Sequence, residues 1–327
     1  MEQKKLAQDL KNGILQMVYL LYGTERYLMQ HYTKEIEKAA LGGIGEADIF
    51  DEKSPANEIV MAAESLPFFQ DRRFIIVKES KLFATGRKNE SEIMAKYLHS
   101  VPDQTVIVFV ESDVDRRSKL FKQISKVGCV VECQQQTPQM LATWVMRLAK
   151  EKGASMTALV AGQFVRIVGN NMSQLYQETA KLAAYTGGKE ITVDDIHQIC
   201  TPTLESRIFD LIKAMGSGKA ADALARYRDM LILKESPLMI LSMIIRQFRI
   251  ILISKCAKEK GMTIFQTAKD FNLRDFMVSE ALDQGRKYTV SALVDALNDC
   301  MDTDVKIKTG LISAEFGVEL LIVRYGM

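Results

Sequence analysis

Two stretches of this chain, RFIIVK (73–78) and TVIVFV (105–110), are unbroken runs of β-branched and aromatic residues. A strand with one wet face alternates apolar and polar side chains, so a run without alternation must be covered on both faces. Helix-like segments separate these runs from each other and from MVYLLYG (17–23), ADIF (47–50) and GCVVEC (128–133). Strand and helix in alternation predict a parallel sheet with helices on both sides. The first helix is expected over TERYLMQHYTKEIEKAAL (24–41), with Thr24 as its N-cap. The next starts at Ser54-Pro55, with Pro at the first helical position and Ile59, Ala62, Ala63 and Leu66 along one face. SEIMAKYLHSV and RRSKLFKQISKV are the remaining two.

From Thr137 onward the helical period takes over. Thr137-Pro138 opens a helix that Gly153 closes, others end near Gly169 and Thr186, and Thr192 with Asp195 forms a capping-box-like start. Longer helices follow, SRIFDLIKAM, ADALARYRDMLIL and PLMILSMIIRQFRIILISKCAKEK, with a last segment from Ser291 to Val323. The expected organisation is an α/β domain over 1–136, a small helical bundle over 137–205 and a second all-helical domain over 206–327.

Composition narrows the functional classes. The 327 residues are 47% hydrophobic and 26% charged, as in a soluble globular protein, and the apolar runs are shorter than a membrane span. The N-terminus, MEQKKLAQDLKNG, lacks the apolar segment of a signal peptide. A net charge of +2 gives no global field for nucleic acid, so any DNA contact must be local. Five scattered cysteines, Cys129, Cys133, Cys200, Cys256 and Cys300, suit reduced thiols in a cytoplasm. Cys129 and Cys133 lie close together without a nearby histidine, which favours a buried strand over a metal site.

In a parallel α/β domain the loop after the first strand is where a nucleotide's phosphates would sit. Here it reads YLLYGTERYLMQ. A phosphate cradle needs a second glycine for backbone approach, a lysine for phosphate charge and a hydroxyl for magnesium. Only Gly23 is present, and Glu25 puts negative charge where phosphate would lie. Glu111 and Asp113 could mimic a magnesium-binding acid but have nothing to coordinate. The pattern is an NTPase scaffold without the NTPase, or an unrelated flavodoxin-like sheet. His31, His99 and His197 sit in helical stretches without a catalytic partner motif. The basic residues of DVDRRSKLFK (113–122) fall at a helix start, where they oppose the dipole unless partnered, and read as a solvated face before a DNA site. The Met-rich PLMILSMII reads as core.

One segment resists this accounting. Leu66, Pro67, Phe68 and Phe69 lie between a helix and a strand, where a connection is normally polar. Either the rings fold back into the core, or the stiff Pro67 holds them out for an apolar pocket on a partner.

SLPFF followed by DRR and an apolar strand, the early YLLYG-x-E-x-YL, the later DRRSKLFK, and RIFDL with RQFR downstream together resemble the delta subunit of bacterial DNA polymerase III, a clamp-loader component. The resemblance runs from Tyr19 to the C-terminal helices. It implies an ATPase-like α/β domain that binds no ATP, a small helical lid, and a helical collar that joins a ring of five loader subunits. It implies no catalytic residue, no metal and no cofactor in this chain, the nucleotidyltransferase activity of the DNA-directed DNA polymerase holoenzyme residing in other subunits. The implied partners are the sliding clamp, the other loader subunits and primed DNA within the complex. Clamp-binding segments in such proteins resemble Q-L-x-L-F. On that pattern Ser65 stands at the Gln position, Leu66 at the first Leu, Pro67 at x, Phe68 at the second Leu and Phe69 at the final Phe. Ser65 departs from the pattern by lacking the long amide. The alternative is a nucleotide-dependent ATPase with a degenerate phosphate loop. A sister loader subunit without ATPase activity typically carries zinc-site cysteines and a Ser-Arg-Cys motif, and this sequence has neither.

Overall fold

A computed structural model describes residues 2–43, 45–67 and 71–326. The chain divides into two compact units, residues 1–137 and 138–327. The first contains α1 (Glu2–Lys11), β1 (Val18–Tyr22), α2 (Arg26–Leu41), β2 (Asp48–Phe50), α3 (Ala56–Glu64), β3 (Arg73–Lys78), α4 (Lys88–Tyr97), β4 (Thr105–Glu111), α5 (Lys119–Val127) and β5 (Cys129–Glu132). The strands form one sheet in the order β2-β3-β4-β1-β5, and every pairing is parallel.

The two-sided cover explains the unbroken apolar runs. Val18, Leu20, Ile75, Val77, Ile107 and Phe109 meet Ile59, Met94, Leu120 and Ile124 of α3, α4 and α5. Tyr19, Leu21, Phe74, Ile76, Val106 and Val108 are also buried. Successive side chains of a strand point to opposite faces, so these belong to the second face. There α2 lies against β1, β3 and β4. Helix α1, not among the expected helices, packs beside the edge strand β5 and buries Leu6.

The second unit is α6 (Pro138–Glu151), α7 (Ala158–Val168), α8 (Met172–Thr186), α9 (Val193–Ile199), α10 (Leu204–Gly216), α11 (Ala220–Ile232), α12 (Pro237–Glu259), α13 (Ile264–Asp270), α14 (Asp275–Gln284), α15 (Val290–Lys308) and α16 (Ala314–Gly326), with a 3-10 turn at Gly285–Lys287. One hydrophobic core runs from Ile208 to Ile322 and includes Tyr227, Ile244, Phe248, Leu293 and Val318. By length and composition α12 could cross a membrane, which the reading of short apolar runs did not anticipate. In the fold its Ile240, Leu241, Ile244, Phe248, Ile250 and Ile251 are buried in that core.

Several local expectations need correction. The cap of α2 is Glu25, whose carboxylate accepts from the Tyr27 amide, and not Thr24. Pro55 is the N-cap of α3 rather than its first helical residue. That helix stops at Glu64, so Leu66 does not share the buried face of Ile59 and Ala63. The last segment is two helices, α15 and α16, because Thr309 ends the first and Gly310 turns the chain at φ +74°. The Thr192–Asp195 capping box forms as expected.

Candidate functional site

Helix α3 is pinned from below by Ile59 and Ala63, both buried against the sheet. The last carbonyls of a helix have no intrahelical donor and must find one elsewhere. In α3 three are met in succession. Ser65 Oγ donates to the Met61 carbonyl at 2.7 Å, the Ser65 amide donates to the Ala62 carbonyl at 3.2 Å, and Thr105 Oγ1 donates to the Ala63 carbonyl at 2.9 Å. Ser65 itself is extended, with φ −72° and ψ 136°, so the chain leaves the helix axis there.

Leu66 follows at 77% exposure, and Met61, one turn back on the outer side of α3, is 72% exposed. A core role does not describe Leu66. Pro67 is half-buried. Phe68 and Phe69 lie outside the described residues. The chain re-enters the sheet at Arg73, whose amide donates to the Gln104 carbonyl at 2.7 Å and whose guanidinium pairs with Asp48 at 2.7 Å. Ser65, at the position of the pattern's glutamine, uses its hydroxyl on its own helix.

The loop at the phosphate position is closed by its own chain. Gly23 has φ +132°, and a Cβ there would stand 2.4 Å from the Cys133 carbonyl oxygen, so glycine is needed for contact with the end of β5. The Gly23 amide donates to the Glu111 carbonyl at 3.1 Å and the Glu25 amide to the Cys133 carbonyl at 2.9 Å. The Glu25 carboxylate takes the Tyr27 amide at 3.1 Å. Burial raises its pKa, and the Tyr27 amide partly offsets this. Three amides around this helix end, those of Gly23, Glu25 and Tyr27, are therefore engaged.

The two acids near β4 do not converge. Glu111 is only 2% exposed and accepts from both the amide and the hydroxyl of Ser80. Burial lifts its carboxyl to about 7, against the pull of the Ser80 donors. Asp113 accepts instead from the Val114 amide at 2.9 Å. Among the described residues no group of three His, Cys, Asp or Glu side chains could hold a metal ion. A cleft over the ends of β1, β4 and β5 is lined by Tyr22, Gly23, Ser112, Asp113, Arg116 and Glu132, among others. Arg116 crosses it, pairing with Glu132 above the Tyr22 ring.

The basic run before α5 has the partners its position demands. Arg117 pairs with Asp115 at 3.0 Å, Lys119 with Glu92 at 2.9 Å, and Ser118 caps the helix by accepting from Phe121. Sequence reasoning missed three groups here: the Glu25 cap, the Ser80–Glu111 pair and the Thr105–Ala63 bond. The first had a local signal in the acid one residue before the helix. The others join residues 31 and 42 apart and leave no local trace.

Two family descriptions match this chain. "DNA polymerase III, delta subunit" covers residues 19–134, and "DNA polymerase III delta subunit, C-terminal domain" covers 205–325. The chain belongs to the DNA polymerase III delta-subunit family. This delta-family chain is 29% identical to the DNA polymerase III subunit delta of Bacillus subtilis, over 97% of its own length and 95% of the relative's. It is 21% identical to the probable DNA polymerase III subunit delta of Aquifex aeolicus, over 60% and 58%. The solved structure of a Bacillus subtilis DNA clamp loader delta protein matches with a TM-score of 0.72 at 28% identity, covering 99% of both chains.

Proposed function

We propose that this delta-family chain is a clamp-loader subunit that binds and opens the sliding clamp, so that the clamp can be placed on primed DNA. Ser65, Leu66, Pro67, Phe68 and Phe69 form the docking segment. The observation that carries the reading is Leu66, a large apolar side chain 77% exposed directly beyond a helix end whose carbonyls are satisfied. An apolar side chain presented from a fixed base suits a pocket on a partner, where a few such anchors carry most of the binding energy. Opening follows if the segment binds the open clamp more tightly than the closed one, since a ligand shifts an equilibrium only by its differential affinity.

The chain has no catalytic step and no cofactor of its own in this reading, and ATP acts in sibling subunits. The engaged amides of Gly23 and Glu25 and the self-capping Glu25 support this over a nucleotide-dependent ATPase. Residues 137–205 serve as the lid and 206–327 as the collar that joins the loader's hetero-pentamer. The separate core from Ile208 to Ile322 and the family match over 205–325 support that division. Such a subunit works in the cytoplasm.

The test is equilibrium binding of the full-length chain and its Leu66→Ala variant to the organism's own sliding clamp. Burying a leucine contributes roughly 1.5–3 kcal/mol, so affinity should fall by about ten- to a hundredfold, with an unchanged melting temperature. Equal affinity of the two proteins would remove the segment from the interface.

A further inference from the structure

We infer that Thr105 is a positioning residue for the docking segment, acting as a clasp on the helix end from which its loop leaves. The inference rests on the assignment of residues 65–69 to the clamp interface.

Thr105 is the first residue of β4 and is 2% exposed. Its hydroxyl donates to the Ala63 carbonyl at 2.9 Å, in the last turn of α3. In the β3–β4 ladder Thr105 is also the residue opposite Arg73, and the neighbouring Gln104 carbonyl takes the Arg73 amide at 2.7 Å. The loop therefore leaves from a residue bonded to the Thr105 side chain and returns to a residue in register with the Thr105 backbone. Its own amide is tied to the Pro102 carbonyl at 2.9 Å, so the clasp does not swing with the loop.

A Leu66 carried directly beyond a fixed helix end samples fewer directions, and binding then loses less ordering entropy. Ile59 and Ala63 fix the depth of α3 by packing, but packing alone lets a helix end slide and fray. The Thr105 bond adds a direction, because it ties one named carbonyl to one strand end. It also satisfies a carbonyl that burial would otherwise leave without a donor. β4 thus contributes to clamp binding without offering an exposed side chain at that end.

Thr105→Val keeps shape and strand preference and removes the donor, whereas Thr105→Ser keeps the donor and loses only a methyl. Clamp affinity of Thr105→Val should fall about tenfold, equivalent to ~1.4 kcal/mol, and Thr105→Ser should stay within about twofold of wild type. Hydrogen exchange should quicken in Thr105→Val at the amides of residues 64–66, with no change at the Arg73 amide, which the Gln104 carbonyl holds, or at the amides of β1. Combined with Leu66→Ala, Thr105→Val should cost less than the two single losses together, because both act through one contact. Should Thr105→Val fold too poorly to assay, Thr105→Ala against Thr105→Ser gives the same contrast, since only Ala lacks the hydroxyl. Weakened binding by Leu66→Ala with wild-type binding by Thr105→Val overturns the clasp and leaves the segment standing. Wild-type binding by Leu66→Ala overturns the segment and the clasp with it. Full additivity of the two substitutions also overturns the clasp, by assigning its effect to another route.

Discussion

Leu66, in water, and Glu111, in the core, both depart from the usual partition. Glu111 is accommodated by Ser80, which sits between Glu79 and Lys81, both at positive φ (47° and 59°). Its carboxyl titrates near 7 in the fold, because burial disfavours the charge and nearby Glu79 adds to it. The unfolded chain releases this proton near the ordinary glutamate value of about 4.3. The native state therefore binds more protons between those limits. The stability Glu111 contributes is fully present below about 4.3, declines as pH rises and is lost above about 7. Glu111→Gln removes the titration, so urea unfolding at pH 5 and pH 8 should show the wild type losing up to about 3 kcal/mol more than the variant. Equal pH dependence of the two proteins would place the proton elsewhere. In the sequence Glu111 was visible as an acid at a strand end, suited to magnesium. Its real partner was invisible, because Ser80 is 31 residues away and marked by no motif.

At the scale of the element, α3 carries opposite demands on neighbouring turns. Ile59 is 0% exposed and closes the core under the sheet. Ile59→Ala should lower the stability of the first unit by about 2–5 kcal/mol through the cavity it leaves, read as a lower transition in differential calorimetry. Leu66→Ala should move the same transition by no more than about 0.5 kcal/mol, as surface changes do. A large stability loss from Leu66→Ala would instead mean that the leucine packs in solution. The strands and most long helices were readable because period and length are local properties. Helices α13 and α14 drew no expectation, although Thr263 and Gln266 form a capping box as clear as that of Thr192 and Asp195. They are short, 7 and 10 residues, and bury little along one face, so their apolar period is weak. The outward turn was one of two readings of the sequence, but what fixes it at Ser65 was hidden, since it depends on a hydroxyl folding back one turn and on a strand from elsewhere in the chain.

For the whole molecule, division of labour is the testable matter. The core from Ile208 to Ile322 belongs to α10–α16. A chain ending at Cys200 lacks it and should fail to co-elute with the other loader subunits, while the α/β unit still binds the clamp. Co-elution of the shortened chain would move the assembly surface to the first 200 residues. The sheet order follows from pairing between distant strands and was not readable, whereas its parallel sense was, because every strand is separated from the next by a helix. The closed loop at Gly23–Glu25 limits what substitution can make of this turn. Building a phosphate cradle would require removing Glu25, freeing two amides from Glu111 and Cys133, and inserting residues into a turn with no room for a Cβ. No single substitution does all three, and each alone strips a helix cap or a backbone tie without yet gaining a ligand. A phosphate cradle is thus out of reach of stepwise substitution here, held off by the chemistry of one turn.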